Sequence, residues 1–254
     1  MFKPLRQTIY IIGYAVSVFF PESDLFLPAH TKDSDIHTYP GFVLQYNEKF
    51  KQADWVAYEL TADESSSTIA KRSENFKIDP DIPSGTATDK DYKYSGYDRG
   101  HLAPAADMKF SQEAMKSSFY YSNISPQNPS LNRTLWASLE ELVREWSITN
   151  QAVYVVTGPI LNKEEYLSIG LNNVAVPEYF YKVVLDNRYP EKKGIAFIIP
   201  NIPPIYPLAS YACSIDDAEM FTGIDFFYQI SDSEENLLES SFNLSLWGLE
   251  QSRK

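Results

Sequence analysis

Cysteine, histidine and glycine are scarce in this 254-residue chain, which contains one, three and ten of them. The lone Cys213 cannot form an intramolecular disulfide, so the core rather than cross-links must stabilise the fold. No Cys or His spacing typical of a zinc site occurs either. With so few histidines, each one is a candidate for proton transfer near neutral pH, because an unperturbed imidazole has a pKa of about 6.5.

Positive charge is also in short supply, since 22 Lys and Arg stand against 34 Asp and Glu for a net charge of −12. Proteins that hold duplex DNA tightly present a basic face, so this composition disfavours tight sequence-specific DNA binding. A local basic cleft remains compatible with it, because phosphate affinity is electrostatic and acts at short range in salt. The cations available for such a cleft are Lys71, Arg72, Arg99, Arg133 and Arg144.

The apolar run at residues 9–20 is about twelve residues long, short of the roughly twenty that span a bilayer. It follows Lys3 and Arg6, a basic start typical of a secretory signal peptide. We therefore expect residues 1–20 to be a signal peptide and the protein to be secreted or periplasmic. An uncleaved membrane anchor and a buried N-terminal strand are the alternatives. A mitochondrial address is less favoured, because the segment is neither Arg-rich nor Ser-rich.

No internal repeat or polar low-complexity stretch divides the chain, and its hydrophobic fraction of 44% is enough for a large core. Residues 21–254 are therefore predicted to form one domain with a core over about 45–230. Strand patterns cover 55–60, 152–157, 179–185 and 194–199, and helical patterns lie near 111–119, 130–146, 215–221 and 234–241. Because strands and helices do not alternate regularly, we predict an α+β fold with a mainly antiparallel central sheet flanked by helices.

Residues 98–108, DRGHLAPAADM, form the most informative motif. His101 offers a general base, and the planar fork of Arg99 matches phosphate oxygens. Gly100 between them permits a close approach that a side chain would obstruct. This combination suggests phosphate chemistry. The alternative is a structural histidine hydrogen-bonded in the core, with Arg99 paired to Asp98.

A second cluster of polar residues lies on the amphipathic helix predicted over 132–146. Asn132, Trp136, Glu140 and Arg144 follow one another at intervals of four, so each is offset from the last by only about 40°. An amide oxygen and a carboxylate are the ligand types that Mg²⁺ prefers. The spacing therefore suggests a metal site, and ordinary surface pairing of Glu140 with Arg144 is the alternative.

Taken together, these ordered motifs resemble the DNA/RNA non-specific endonuclease family with a ββα-metal active site, especially its endonuclease G-like branch. The likeness runs from about residue 46 to residue 227. It is carried by residues 55–58, 98–108, 122–140, 154–159, 174–177, 180–182, 214–216 and 222–227.

The resemblance implies a role for each matching residue. His101 matches the general base that activates water, and Asn123 an asparagine that helps to hold it. Asn132 matches the direct protein ligand of Mg²⁺, for which Mn²⁺ is a candidate substitute. Glu140 matches the carboxylate that orients metal-bound water.

Four arginines complete the predicted site. Arg99 matches the motif arginine near the phosphate, and Arg144 falls where relatives often carry a transition-state-stabilising arginine. Arg72 is the nearest candidate for a further phosphate-binding arginine before Phe76, and Arg133 is assigned to the substrate cleft.

The resemblance implies magnesium-dependent hydrolysis of DNA and RNA to 5′-phosphate products. It also implies a homodimer, since family members are often dimers. Two alternatives stay open: a metal-dependent phosphodiesterase acting on nucleotides or small diesters, and a catalytically inactive nucleic-acid-binding homologue.

Overall fold

The computed structural model describes residues 27–249, so the predicted signal peptide or anchor lies outside the described residues. Among the helices of that range, none is long and apolar enough to cross a membrane. The strands are β1 Ile36–Tyr39, β2 Phe42–Asn47, β3 Gln52–Thr61, β4 Asp98–His101, β5 Ile124–Gln127, β6 Ala152–Pro159, β7 Ser168–Ile169, β8 Val174–Ala175, β9 Tyr179–Asp186, β10 Lys193–Pro200 and β11 Ala212–Cys213. The helices are α1 Ala62–Ser66, α2 Asp89–Tyr92, α3 Gln112–Ser118, α4 Pro129–Leu131, α5 Ala137–Thr149, α6 Ile215–Thr222 and α7 Asp232–Glu239.

A seven-stranded sheet in the order β1-β2-β3-β6-β9-β10-β11 forms the centre of the molecule. Every neighbouring pair in it is antiparallel, which confirms the predicted fold class. In its middle, Thr157 of β6 lies opposite Val56 of β3 on one side and Lys182 of β9 on the other. These central strands are rich in β-branched residues, which pack well on a pleated and buried surface.

The two faces of the sheet pack against different helices. On β9, Phe180 and Val184 join the core cluster that contains residues of α5, whereas Tyr181 and Val183 join the cluster that contains residues of α6 and α7. Successive side chains of a strand point to opposite faces. Lys182 therefore points to the α5 side, between apolar neighbours of the same strand.

The predicted strands and helices are all present. The two strands that the ββα-metal resemblance implies before the helix are β4 and β5, which the hydropathy pattern alone does not show. Each has four residues, and the two form a separate antiparallel pair in which Asp98 lies opposite Gln127 and His101 opposite Ile124. Strands this short, one of them containing Pro126, give too little alternation to recognise. The pair carries the DRGH motif and is followed directly by α4 and α5.

The helix predicted over 130–146 is real but irregular. Residues Asn132–Trp136 form a π-helical turn between α4 and α5. The regular α-helical spacing assumed between Asn132 and Trp136 is therefore wrong, because π turns bond i to i+5. In the structure Trp136 is fully buried in the core while Asn132 stays half-buried. Such turns occur frequently at functional sites.

Candidate active site

The β4–β5 pair holds His101 and depends on Gly100 for its packing. A Cβ atom on Gly100 would lie 2.4 Å from Oε1 and 2.7 Å from Cβ of Gln127, which stands on the neighbouring strand. A close approach does occur at Gly100, and the group that approaches it in the structure is the Gln127 side chain.

The His101 ring lies between two phenyl rings. Its centroid is 5.4 Å from that of Phe76 and 4.8 Å from that of Phe119. Nε2 is enclosed and has no hydrogen-bond partner within the described part of the chain. Burial, together with the positive charges of Arg72 and Arg99, lowers the pKa of His101 to about 3. The imidazole is therefore neutral at neutral pH and able to accept a proton.

Asn123 positions the backbone next to His101 and forms no hydrogen bond with the ring. Its Oδ1 accepts from the Ala103 N–H at 2.9 Å, and its Nδ2 donates to the carbonyls of Ala103 at 2.9 Å and Ser118 at 2.8 Å. The side chain is fully buried, and these bonds use its whole donor capacity. Asn123 thus holds the chain immediately after the histidine in place.

Asp98, at the other end of β4, fixes Asn132 and Arg133. Its Oδ2 accepts from Nδ2 of Asn132 at 3.0 Å, and its two oxygens accept a bidentate pair from Arg133 at 2.8 and 2.7 Å. Although burial acts to raise it, these hydrogen bonds lower the pKa of Asp98 below its usual value. Because the amide nitrogen of Asn132 is occupied, its Oδ1 is the atom left to bind a ligand.

Arg99 pairs with Asp89 rather than with Asp98, so the alternative pairing considered from the sequence is wrong. Its guanidinium also lies 4.4 Å from the centroid of the Phe76 ring. Arg99 and Asn132 line a surface cleft of about 560 Å³. The other lining residues are Phe76, Asp89, Tyr92, Lys93, Tyr97 and Asp98.

A layer of buried charge lies beneath the site, between the sheet and α5. Asp107, the last acid of the DRGH segment, is fully buried and accepts from Nη1 of Arg144 and from the Tyr58 hydroxyl, both at 2.9 Å. Burial nevertheless raises the pKa of Asp107. The arginine predicted to stabilise a transition state is therefore held by an ion pair with the motif itself.

Lys182 is the residue of this layer that the sequence reasoning missed. It is fully buried, its Nζ lies 4.9 Å from the Trp136 ring centroid, and that nitrogen has no hydrogen-bond partner among the described residues. Burial lowers its pKa, and the charges of Glu140 and Asp107 oppose that effect. A lysine in the middle of the apolar run 179–185 was the available signal, because an unpaired buried lysine is rare.

Glu140 lies one helical turn before Arg144 on α5. Burial raises the pKa of its carboxyl, while the positive charges of Lys182, Arg144 and Arg72 lower it. No hydrogen bond to the Glu140 carboxylate is formed within residues 27–249, so its oxygens are available to a ligand. The surface Glu140–Arg144 pair considered as an alternative is absent there too, since Arg144 bonds Asp107.

The charge of Arg72 acts on two of the predicted site residues, His101 and Glu140. Its guanidinium lies 5.5 Å from the Phe119 ring centroid, against which His101 also packs. Where the structure is described, Arg72 has no ion-pair partner, in contrast to Arg99, Arg133 and Arg144. Arg72 is thus the cation of the set that is best placed to receive an external anion.

The chemistry of these donors fits a hard divalent cation. Asn132 Oδ1 and the Glu140 carboxylate are neutral and anionic oxygen ligands on one continuous helical segment. Mg²⁺ binds through one or two such groups and keeps several waters, and a surface cleft leaves room for them. Burial raises the pKa of the Cys213 thiol to about 12, which makes it a poor metal ligand and nucleophile.

The family described as DNA/RNA non-specific endonuclease matches residues 27–233 of the chain. Nuclease C1 of Cunninghamella echinulata var. echinulata is 38% identical over 205 residues, which cover 74% of this chain and 80% of that protein. Human mitochondrial Endonuclease G is 35% identical over 199 residues, covering 73% and 67%.

Two further comparisons concern length and structure. Mitochondrial Nuclease EXOG of Danio rerio is 35% identical, and the matched 204 residues span 74% of this chain but only 60% of that protein. In the crystal structure of an EndoG/EndoGI complex, a chain 32% identical superposes with a TM-score of 0.72, covering 78% of this chain and 87% of the other.

The environment of His101 generates a prediction about its titration. We expect its ring to stay neutral down to at least about pH 5, and Arg72→Gln to raise its pKa by removing a nearby positive charge. NMR titration of the Hε1 signals measures this, because the chain has only three histidines and a His101→Gln variant identifies the signal. Lys71→Gln, one residue away, is the charge-matched control. A midpoint near 6.5 in the wild-type protein would contradict the described burial.

Proposed function

This chain belongs to the DNA/RNA non-specific endonuclease family and is a nuclease, and we propose that it hydrolyses DNA and RNA with His101 as general base and Asn132 as the ligand of a divalent cation. The products expected from the family resemblance carry a 5′-phosphate. The observation that carries the proposal is the arrangement at β4, which has the neutral His101 at one end and, through Asp98, Asn132 at the other.

His101 takes the proton of the attacking water in this proposal. Because Nε2 is enclosed, we assign the transfer to Nδ1. A pKa of about 3 makes the unliganded imidazole a weak base, but positive charge from Arg72 and Arg99 contributes to that value. A phosphodiester bound beside these arginines offsets their charge and therefore raises the basicity of His101. The base is then strongest when substrate is present.

The metal-binding role falls to Asn132 and Glu140. Asn132 would hold Mg²⁺ directly through Oδ1, and Glu140 would contact it through water. When bound, the cation supplies Lewis-acid neutralisation of charge on the phosphoryl and leaving oxygens. Asp98 keeps the Asn132 amide in the orientation that presents its oxygen.

Fixed positive charge completes the proposed mechanism. Arg99, above Phe76, and Arg72, above Phe119, both stand beside His101 and would bind the phosphate. Arg144 is anchored to Asp107, so it offers a preorganised charge near Glu140 rather than a mobile arm. Preorganised charge in a site costs little reorganisation when charge develops on the substrate.

Location and assembly remain predictions from the sequence. Export to the periplasm or the medium depends on residues 1–20, which lie outside the described range. The homodimer and the use of Mn²⁺ are likewise proposed from the family resemblance.

We predict how two substitutions change the digestion of supercoiled plasmid and of total RNA, each measured in Mg²⁺ and in EDTA. His101→Ala is expected to reduce cutting of both polymers by roughly 10²–10⁴-fold, the usual contribution of a general base. Asn132→Ala should cause a comparable loss that higher Mg²⁺ partly restores, because it weakens cation binding rather than proton transfer. Gel assays with 5′-end analysis measure both.

Lys163→Ala, in a surface ion pair away from the site, is the control for that assay. Cutting by His101→Ala at the wild-type rate would show that the base is another group. Hydrolysis of dinucleotides but not of polymers would favour the small-diester alternative, and binding without hydrolysis in the folded wild type would favour the inactive homologue.

A separate prediction concerns Lys182, a positioning residue that acts through the charge of Glu140. Lys182→Met removes a positive charge that keeps Glu140 ionised, so the pKa of Glu140 should rise and the acid limb of the kcat/KM profile should move to higher pH. Below neutral pH, activity should fall several-fold, with a smaller loss above pH 8. The readout is the pH profile on a single oligonucleotide substrate.

Two comparisons make the Lys182 result specific. Lys163→Met should leave the profile unchanged. Lys182→Met/Glu140→Gln removes both opposite charges and should recover unfolding stability without recovering activity. A Lys182→Met profile that falls uniformly at every pH would indicate a purely structural lysine.

A further inference from the structure

Three carboxylates converge on the sheet face opposite the proposed active site. Asp216 and Glu219 lie one turn apart on α6, and Glu239 is the last residue of α7. One oxygen from each of the three lies within 4.8 Å of the other two. None of the ion pairs formed by the described residues includes any of them, so no side-chain cation of that part balances their charge.

The buried member of the group has an unused oxygen. Glu239 is only 2% exposed, and its Oε1 has no hydrogen-bond partner in the part of the chain that is described. Glu219 is partly occupied, because its Oε1 accepts the Phe226 N–H at 2.7 Å. A buried carboxylate oxygen without a donor is costly. The cluster of three carboxylates is one sign of a ligand site. The unpartnered oxygen of the buried Glu239 is a second, independent sign.

The two helices that carry the carboxylates are rigidly placed. Both pack on β10 at Gly194, where an added Cβ would lie 2.6 Å from Ile215 Cδ1 of α6 and 2.9 Å from the Leu238 carbonyl of α7. The three acids are therefore brought together by a close-packed helix pair on a sheet, and the cluster is not a chance encounter of surface side chains.

We propose that Asp216, Glu219 and Glu239 form a Ca²⁺ site that ties α7 to α6. Oxygen ligands of Ca²⁺ lie about 2.3–2.6 Å from the ion, so two of them are separated by at most about 5 Å. The three carboxylate oxygens lie within 4.8 Å of one another, so one Ca²⁺ can contact all of them. Ca²⁺ takes about six to eight oxygen ligands in a flexible geometry, which suits three carboxylates, whereas Mg²⁺ is usually bound through one or two. Water and the exposed side of Asp216 leave room for the remaining coordination.

The charges around the cluster are those of other carboxylates. Burial, and then the carboxylates of Glu219, Glu235, Asp216 and Asp225, raise the pKa of Glu239 to about 9. Burial and neighbouring acids also raise the pKa of Glu219 to about 7.

The test uses the full chain carrying Asn132→Ala, which weakens the proposed active-site cation position. At pH 7.5 we expect calorimetric titration with Ca²⁺ to show binding at one site. Glu239→Gln in this background should weaken the affinity at least tenfold. Glu235→Gln makes the same substitution on the same helix without removing a ligand, and should retain binding.

Thermal unfolding gives a second readout. In EDTA, Glu239→Gln should unfold at about the same temperature as its parent, because a glutamine replaces a carboxyl that is already protonated. Added Ca²⁺ should stabilise the parent and Glu235→Gln but not Glu239→Gln. Asp216→Asn, at an exposed position, should weaken Ca²⁺ affinity with little effect on folding, and covers the case in which Glu239→Gln does not fold.

Two results would overturn the proposal. One is a parent protein that binds no Ca²⁺ at millimolar concentration, which would leave Glu239 as a protonated buried acid. The other is an equal Ca²⁺-dependent shift in the parent and in Glu239→Gln, which would place the ion elsewhere. Neither result depends on nuclease activity, so the test is independent of the proposed function.

Discussion

The position of Lys182 constrains the structure around the active site. A lysine ammonium at the centre of a buried sheet is unfavourable unless negative charge lies near it. Asp107 supplies that charge from the end of the DRGH segment, and Glu140 supplies it from α5. Arg144 then balances Asp107 by a 2.9 Å contact. Removing one member of such a group leaves another charge buried and unpaired, so the sheet, α5 and the motif segment are held together.

Above this layer of buried charge, short-range packing fixes the residues of the candidate active site. His101 is held by aromatic rings and by the backbone that Asn123 fixes, whereas Asn132 is held by a hydrogen bond to Asp98. The π-helical turn places Asn132 at the cleft while Trp136 packs in the core above Lys182. The same helical segment thus connects the buried charge layer to the cleft, where Asn132 is the proposed metal ligand.

The sequence predicted the antiparallel sheet and the main helices, because the spacing of apolar residues in a long segment shows which side of it is buried. Its motifs and family resemblance also predict His101, Asn132, Glu140 and Arg144 as site residues, and their roles stay predictions. It did not reveal the π turn, since the apolar spacing of an irregular helix is close to that of a regular one. Lys182 lies within an apolar strand pattern, which does not show which charges surround its ammonium group. The partners of Arg99 and Arg133 depend on tertiary contacts with Asp89 and Asp98 that local pattern does not encode.

Those partners also explain how so acidic a chain can act on a polyanion. Arg133 and Arg99 pair at the surface, with 69% and 41% of their side chains exposed. Surface ion pairs contribute only about 0–1 kcal/mol, so a phosphate can compete with the carboxylate at little cost. The partner of Arg144 is fully buried, and releasing it would leave an unpaired charge in the core. Substrate binding is therefore expected to draw on the exposed pairs and on Arg72, while Arg144 stays fixed. These arginines attract phosphate only locally and can exchange it for their own carboxylate partners. Such binding suits turnover better than tight retention of nucleic acid.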